Sequence, residues 1–288
     1  MTTAADLGPI GIWWSGSWRV PDEQETDAAA EVEALGYGAA WSSGRYDRGL
    51  SPHFERLLER TNRMVVASGV VSIWAGTPEE LVPPVVALEQ RFPGRFLLGL
   101  GASHHVLVPD YAKPYSRMVA FLDALDAMDT PVPPGRRVLA ALGPRMLELA
   151  AGRAVGAHPY FVPVEHTAYA RAILGPGPLL APEVAVVLET DPVRAREAAR
   201  TYASGYLALP NYATNVRRFG FGDDDLAGGG SDRLIDALIP WGDAPSIARR
   251  IGEHRDAGAD HVCVQVVAPF DQFPLAAYRE LAAVLLGA

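Results

Sequence analysis

The sequence predicts a (β/α)8 barrel of the α/β class. Three observations carry that expectation. Short apolar runs alternate with longer helical patterns along the whole chain, and eight such runs can be counted in the 288 residues. The runs are rich in Val, Ile, Leu and Ala with little polar alternation, as strands of a parallel sheet covered on both faces must be. The runs also end alike, in glycine, serine, histidine or an aromatic residue, and the carboxyl ends of barrel strands are where such folds place their chemistry. A doubly wound sheet would show fewer strands and a more regular glycine fingerprint. No linker or shift in composition divides the chain, so residues 1–288 are expected to form one domain.

The elements follow in order. After a loose leader over 1–8, Pro9 to Trp14 reads as the first strand, ending at Ser15-Gly16-Ser17. Residues 22–35 have acids in the first turn, apolar residues at Ala28, Val32 and Leu35, and Gly36 as a stop, which together read as a helix. Tyr37 to Trp41 is the second strand and a short helix covers 52–60. Val65 to Trp74 reads as one long third strand, and Thr77-Pro78-Glu79-Glu80 opens a helix to Arg91 with a cap, a proline and two acids. Arg95 to Gly101 is the fourth strand, with a helix over 114–128 ended by Pro131, Pro133, Pro134 and Gly135. Arg137 to Leu142 is the fifth strand, Gly143-Pro144 begins a helix to Arg153, Val155 to Phe161 is the sixth strand, and residues 163–174 form a helix. Glu183 to Leu188 is the seventh strand, and Thr190-Asp191-Pro192 caps a helix to about Ala203. The stretch 205–241 is irregular and reads as an insertion before the eighth strand, with short helices, solvated acids at Asp223-Asp224-Asp225 and a mobile loop at Gly228-Gly229-Gly230 that could act as a lid. A helix over 243–257, the eighth strand His261 to Val267 and a helix over 274–286 complete the chain.

Composition narrows the function. A net charge of −9 argues against general nucleic-acid binding. Lys113 is the only lysine, which leaves little room for Schiff-base chemistry, and Cys263 is the only cysteine, which excludes an internal disulfide or a thiolate zinc cluster and reads as a buried thiol. The sequence opens with no signal peptide and contains no membrane-spanning run, so a cytoplasmic protein is expected.

The stretch Arg95-Phe96-Leu97-Leu98-Gly99-Leu100-Gly101-Ala102-Ser103-His104-His105 concentrates the chemistry: a buried strand that ends in two glycines, a serine and two histidines. Adjacent histidines cannot both face inward, so they are no metal pair. The remaining strand ends (Trp14-Ser15, Trp41-Ser42-Ser43, Ser72-Ile73-Trp74, Ala141-Leu142-Gly143 and His158-Pro159-Tyr160) are aromatic, small or weakly polar. Such a wall suits a planar ring better than carboxylate-driven hydrolysis. Gly143-Pro144 at a helix start offers free N–H groups to a phosphate, with Arg137 and Arg145 near it in sequence, although an ordinary capped helix reads the same way.

Several segments together resemble the luciferase-like family of flavin and deazaflavin oxidoreductases: Glu33-Ala34-Leu35-Gly36-Tyr37 into Trp41, Gly69 to Trp74, Gly94 to Gly101, Leu139 to Pro144 followed by Leu149 to Arg153, and Asp256 to Val262. Each is weak alone, but their order and spacing span nearly the whole chain. Gly156-Ala157-His158-Pro159-Tyr160 and Leu209-Pro210-Asn211-Tyr212 resemble the branch that uses coenzyme F420. The resemblance implies a (β/α)8 barrel, commonly a homodimer, that transfers hydride between a deazaflavin and a small organic substrate. It implies a non-proline cis peptide at the end of the third strand, matched here by Ser72-Ile73, a ring edge along Gly99, Gly101 and Ala102, and a phosphate segment at Ala140, Ala141, Leu142 and Gly143, with Ser43 also among the cofactor-binding positions.

The chain departs from the family after the second strand, where a histidine or an acid is often found and Ser42-Ser43-Gly44-Arg45 stands instead, and after the fourth, where Ala102-Ser103 replaces a glutamate. His104 is then the best acid or base, since imidazole titrates near neutrality. The leading expectation is an F420-dependent oxidoreductase. An FMN-dependent luciferase-type monooxygenase is the alternative, and a barrel that has lost its cofactor and serves as a binding or partner protein is a third.

Overall fold

The computed structural model of the chain describes residues 7–14, 20–43, 50–106, 108–269 and 271–287. The strand ends at Ser15-Gly16-Ser17 and Gly44-Arg45 lie outside the described residues. The elements are β1 (Ile10–Trp14), α1 (Asp22–Ala34), β2 (Ala39–Ser42), α2 (Leu50–Arg60), β3 (Val65–Ser68), β4 (Val71–Ser72), α3 (Pro78–Arg91), β5 (Phe96–Gly101), α4 (Pro114–Asp126), β6 (Arg137–Leu139), α5 (Pro144–Arg153), β7 (Gly156–Ala157) and α6 (Val164–Leu174). They continue as β8 (Leu179–Leu180), β9 (Glu183–Leu188), α7 (Pro192–Leu207), α8 (Pro210–Arg218), α9 (Asp223–Leu226), α10 (Asp232–Leu238), β10 (Trp241–Gly242), α11 (Ala244–Asp256), β11 (Val262–Val266) and α12 (Leu275–Leu285).

The strands pair in the order β10-β9-β11-β1-β2-β3-β5-β6-β7-β8, with β4 on β5. The run Leu179–Leu188 joins the two ends of that order. Its first half bonds the β7 side, with Ala181 N–H on the Ala157 carbonyl at 2.9 Å and Glu183 N–H on the Pro159 carbonyl at 2.8 Å. Its second half bonds β11, where Cys263 N–H reaches the Pro182 carbonyl at 2.9 Å. The chain is a (β/α)8 barrel, and the strand segments exceed eight because two barrel strands are interrupted, at Gly69-Val70 and at Ala181-Pro182, and β10 is added beside β9.

Alternation along each strand divides the apolar residues between two layers. Ile12, Trp14, Val66, Leu98, Leu100 and Val264 face outward against the helices. Trp13, Trp41, Val65, Ala67, Leu97, Val138 and Cys263 fill the interior. Trp41 lies flat on His158, ring centroids 4.2 Å apart, and its Nε1–H donates to His261 Nε2 at 3.2 Å. His261 donates in turn from Nδ1 to the Gly8 carbonyl at 2.7 Å. Burial holds both imidazoles near a pKa of about 4, so they are neutral packing groups. His158, placed by its sequence position at a strand end, is thus part of the barrel filling, and Cys263 is the buried thiol expected.

The irregular stretch folds into α8 to α10 with a 3₁₀ turn at Ala227–Gly229. It packs on β9 and α7 through Val187, Ala199, Ala203, Val216, Leu234 and Leu238. Of its acids, Asp223 and Asp224 are exposed as expected, Asp223 pairing with Arg217 at 2.7 Å, whereas Asp225 is half-buried, accepts from Ser231 Oγ at 2.7 Å and pairs with Arg233. In the glycine triplet, Gly228 is exposed, while Gly229 sits against Arg200 of α7 and the Gly230 carbonyl accepts from Arg200 Nε at 2.8 Å. Among the described residues no helix is long and apolar enough to cross a membrane.

Candidate active site

The mouth of the barrel is shaped by the interruption between β3 and β4. Gly69 N–H makes the last bond of the β3 edge, to the Ser42 carbonyl at 2.7 Å. The Gly69-Val70 peptide is cis, and the chain resumes as β4 against β5, Val71 opposite Leu100 and Ser72 opposite Gly101. The cis bond therefore lies at Gly69-Val70 and not at Ser72-Ile73. The apolar run from Val65 to Trp74 hides this break in the strand, which only the glycine marks. Val70 is left half-buried at the rim. The two glycines of β5 admit it: a Cβ on Gly99 would overlap the Ser68 carbonyl oxygen, and one on Gly101 would overlap Val70 Cγ2. Their small size is required by a neighbouring strand.

Of the residues expected to hold a cofactor, Ser43, Ser72, Ala102, Ala140, Leu142 and Gly143 are half-buried at this end of the barrel, while Gly99, Gly101, Ala141 and Ile73 are buried. Ile73 is packed among the outer layer, and its N–H bonds the Gly101 carbonyl at 3.0 Å. Gly101 touches the Ala140 side, so β4, β5 and the end of β6 form a continuous apolar bed of Val70, Ala102 and Ala140. Ser43 Oγ is buried and has no partner.

At the far end of this bed α5 begins. Gly143 is its N-cap, no side chain caps the first turn, and a Cβ on Gly143 would meet nothing within 4 Å. Pro144 has no N–H and Met146 N–H turns to the Gly143 carbonyl at 3.1 Å, so the open space faces the Arg145 N–H at the positive end of the helix dipole, a candidate anion seat. The Leu142 carbonyl beside it is held by His166 Nε2–H at 3.0 Å and by Arg218 at 3.5 Å. Arg218 lies over Tyr169 and Arg145 over Tyr115, the latter 3.9 Å from the ring centroid. Among the described residues neither arginine pairs with a carboxylate. Arg137, expected nearby, is fully buried at the other end of its strand, bonded to the Arg153 carbonyl at 2.8 Å and paired with Asp126, because strand direction carries residue 137 away from the mouth.

His104 stands on the loop after β5, half-buried, while His105 is exposed. Its Nδ1 donates to Asn211 Oδ1 at 3.0 Å, which leaves Nε2 with the lone pair, and its ring lies 5.4 Å from Tyr212. Burial lowers its pKa below the usual 6.5, with the Asn211 bond opposing and His105 assisting, so the ring is neutral at pH 7. Asn211 and Tyr212 belong to α8, as do Asn215 and Arg218. One helix of the insertion thus covers both His104 and the α5 seat.

A polar hub closes the opposite wall. Tyr160 OH lies 2.8 Å from each of Tyr202 OH, Tyr206 OH and Gln265 Oε1. Tyr202 also reaches Glu183, which accepts the Phe161 N–H at 3.1 Å. Burial pushes the Glu183 carboxyl up to about 8 against the pull of those bonds. Tyr160 meets Trp13 edge-on at 5.1 Å and so joins the hub to the barrel interior. Val70, Asn211, Arg218 and this hub were not singled out as site residues from sequence, although Asn211 lies in a segment that resembled the F420 branch.

The profile of the luciferase-like monooxygenase family matches residues 20–261. No curated protein matches the sequence. Among solved structures, the chain is similar to an F420-dependent secondary alcohol dehydrogenase in complex with an F420-acetone adduct, with 14% identity, TM-score 0.72, and coverage of 96% of this chain and 99% of that one. It is similar to the coenzyme F420-dependent tetrahydromethanopterin reductase from Methanopyrus kandleri, with 14% identity, TM-score 0.76, and coverage of 97% and 99%. It is also similar to the FMN-bound oxygenating constituent of 3,6-diketocamphane monooxygenase from Pseudomonas putida, with 14% identity, TM-score 0.67, and coverage of 96% of each chain. With the profile spanning most of its length and the barrel matching end to end, the chain belongs to the luciferase-like monooxygenase family.

Proposed function

We propose that the chain is an oxidoreductase that holds the deazaflavin coenzyme F420 at the mouth of the barrel and exchanges hydride with a small organic substrate. The observation that carries this reading is the uncharged, apolar bed of Val70, Ala102 and Ala140 leading to an uncapped helix start with open space at Gly143. A planar ring with an anionic tail fits that sequence of surfaces. Structural likeness to enzymes whose bound or named cofactor is F420 supports it.

When bound, the deazaflavin supplies the carbon that gives or takes hydride. The protein orients the ring against Val70 and seats the phosphate at Leu142-Gly143, with Arg145 on the first turn of α5. His104 handles the proton: Nε2 accepts it from a substrate hydroxyl during oxidation and returns it to the oxygen during reduction. Asn211 fixes the tautomer that makes Nε2 the basic atom.

The test is a fluorescence titration of the protein with F420 and, separately, with FMN. Saturable F420 binding, weakened about tenfold or more by Gly143→Val, is the expected result. Preference for FMN points instead to a luciferase-type monooxygenase. Binding of neither points to a barrel that acts through partners.

A further inference from the structure

The insertion brings more to the α5 seat than a single phosphate needs. Arg218 is exposed, yet it is fixed on three sides. Its face lies over Tyr169, 5.2 Å from the ring centroid, and NH1 donates to Asn215 Oδ1 at 2.7 Å and toward the Leu142 carbonyl at 3.5 Å. A guanidinium stacked on a ring and tied through one nitrogen keeps its remaining edge donors for an anion. Asn215, whose oxygen orients this arginine, is 1% exposed, and its Nδ2 has no partner. Arg145 is set on the other flank of the same helix start, stacked on Tyr115 of α4, while Tyr169 belongs to α6. The two cations are therefore spread along the rim on either side of Gly143 and do not converge on one point. A compact phosphate monoester would use one of them. A longer polyanion would use both.

We infer that Arg218, held by Asn215 and Tyr169, is a carboxylate-binding subsite that reads the tail of the cofactor beyond its phosphate. This rests on the deazaflavin reading above, since F420 continues from a phosphodiester into a lactyl-glutamate chain whereas FMN ends at its phosphate. Arg145 takes the phosphodiester, with its guanidinium and with its own N–H at the start of α5. Arg218 takes a glutamate carboxylate through its free edge. The insertion then has a chemical purpose: α8 sets the proton-handling histidine with one end and selects the tail with the other.

The experiment compares three deazaflavins by fluorescence titration: the core alcohol without phosphate, the lactyl phosphodiester without glutamate, and the form with two or more glutamates. The wild-type chain is expected to bind the glutamylated form about tenfold more tightly than the glutamate-free form. Arg218→Gln erases that preference while binding the glutamate-free form as before, and Arg218→Lys restores part of it. Arg145→Gln weakens both phosphate-bearing forms alike. Equal affinity of the wild-type chain for the two phosphate-bearing forms overturns the subsite and leaves the deazaflavin reading standing. Equal weakening of both by Arg218→Gln also overturns it, making Arg218 a phosphate ligand. Failure of all three compounds to bind overturns the deazaflavin reading and the subsite together. Thermal melting of each variant establishes that the chain is folded when it is titrated.

Discussion

His104 Nδ1 donates to Asn211 Oδ1 at 3.0 Å, across 107 residues of chain. This bond decides which ring nitrogen is basic, and it connects the loop after β5 to the insertion helix α8. Replacing Asn211 with Asp puts a carboxylate at the same place and stabilises the imidazolium, so the His104 pKa rises. An NMR titration of the ring reads it directly. In the wild type the ring titrates below the usual histidine value, and in Asn211→Asp at a higher pH than in the wild type. If the two curves coincide, Asn211 does not set the state of His104.

His104→Asn keeps a polar side chain and removes the base. The expected outcome is a fall in kcat of about 10²-fold or more with cofactor affinity unchanged. A stopped-flow measurement of hydride transfer together with the binding titration separates the two quantities. Loss of cofactor binding instead would place His104 in the cofactor seat.

The glycines of the site divide by what surrounds them. Gly99→Ala drives a methyl group into the Ser68 carbonyl, with backbone on both sides of the clash. It is expected to cost about 3 kcal/mol or more, read as a lowered midpoint in urea. Gly143→Ala meets open space and costs at most about 1 kcal/mol, as an N-cap change does. Its effect belongs in the cofactor titration. Equal loss of stability in both variants would contradict this division.

Glu183 gives the fold a pH dependence. Burial pushes its folded pKa up to about 8, from the ordinary carboxylate value of 4.5. Between these values the folded chain keeps a proton that the unfolded chain releases. This contribution to stability is complete below the lower value and is lost as pH rises through about 8. Glu183→Gln mimics the protonated acid and keeps an acceptor for Phe161 N–H. Thermal melts from about pH 5 to about pH 9 should fall more steeply for the wild type than for Glu183→Gln, with the variant the more stable one on the alkaline side.

Glu33, in the segment that leads into Tyr37, has a structural task. Its carboxylate accepts the N–H groups of Asn62 at 2.9 Å, Arg63 at 2.6 Å and Met64 at 2.7 Å, just before β3. Burial works to raise its pKa, and those bonds outweigh it and lower the value. The stabilisation is present above its ordinary pKa and fades as pH falls. Glu33→Ala leaves several N–H groups without partners and is expected to cost about 2–4 kcal/mol by chemical denaturation, with no change in cofactor affinity.

Local pattern was enough for most of the architecture. Buried parallel strands are continuous apolar runs, and helix ends carry proline, acids and glycine, so the strand–helix alternation, the extent of β9 and the start of α5 at Pro144 could all be read along the chain. The chemical character of the mouth was also legible, because side chains at strand ends are set by one strand each. Contacts made at long range were not. The position of the cis bond depends on where the strand breaks between β3, which pairs with both β2 and β5, and β4, which continues on β5, and no residue in the run Val65–Trp74 except Gly69 records that break. Both Asn211, the partner of His104, and Arg218, which reaches the Leu142 carbonyl beside the anion seat, come from α8, whose placement is fixed by packing on α7 and β9. The direction of β6 sends Arg137 to the closed end of the barrel, although only a few residues separate it from Gly143. A sequence specifies which surfaces each element must bury. Which polar groups then meet across the mouth follows from the closure of the barrel, where the energies of many apolar contacts together outweigh the preference of any single polar pair.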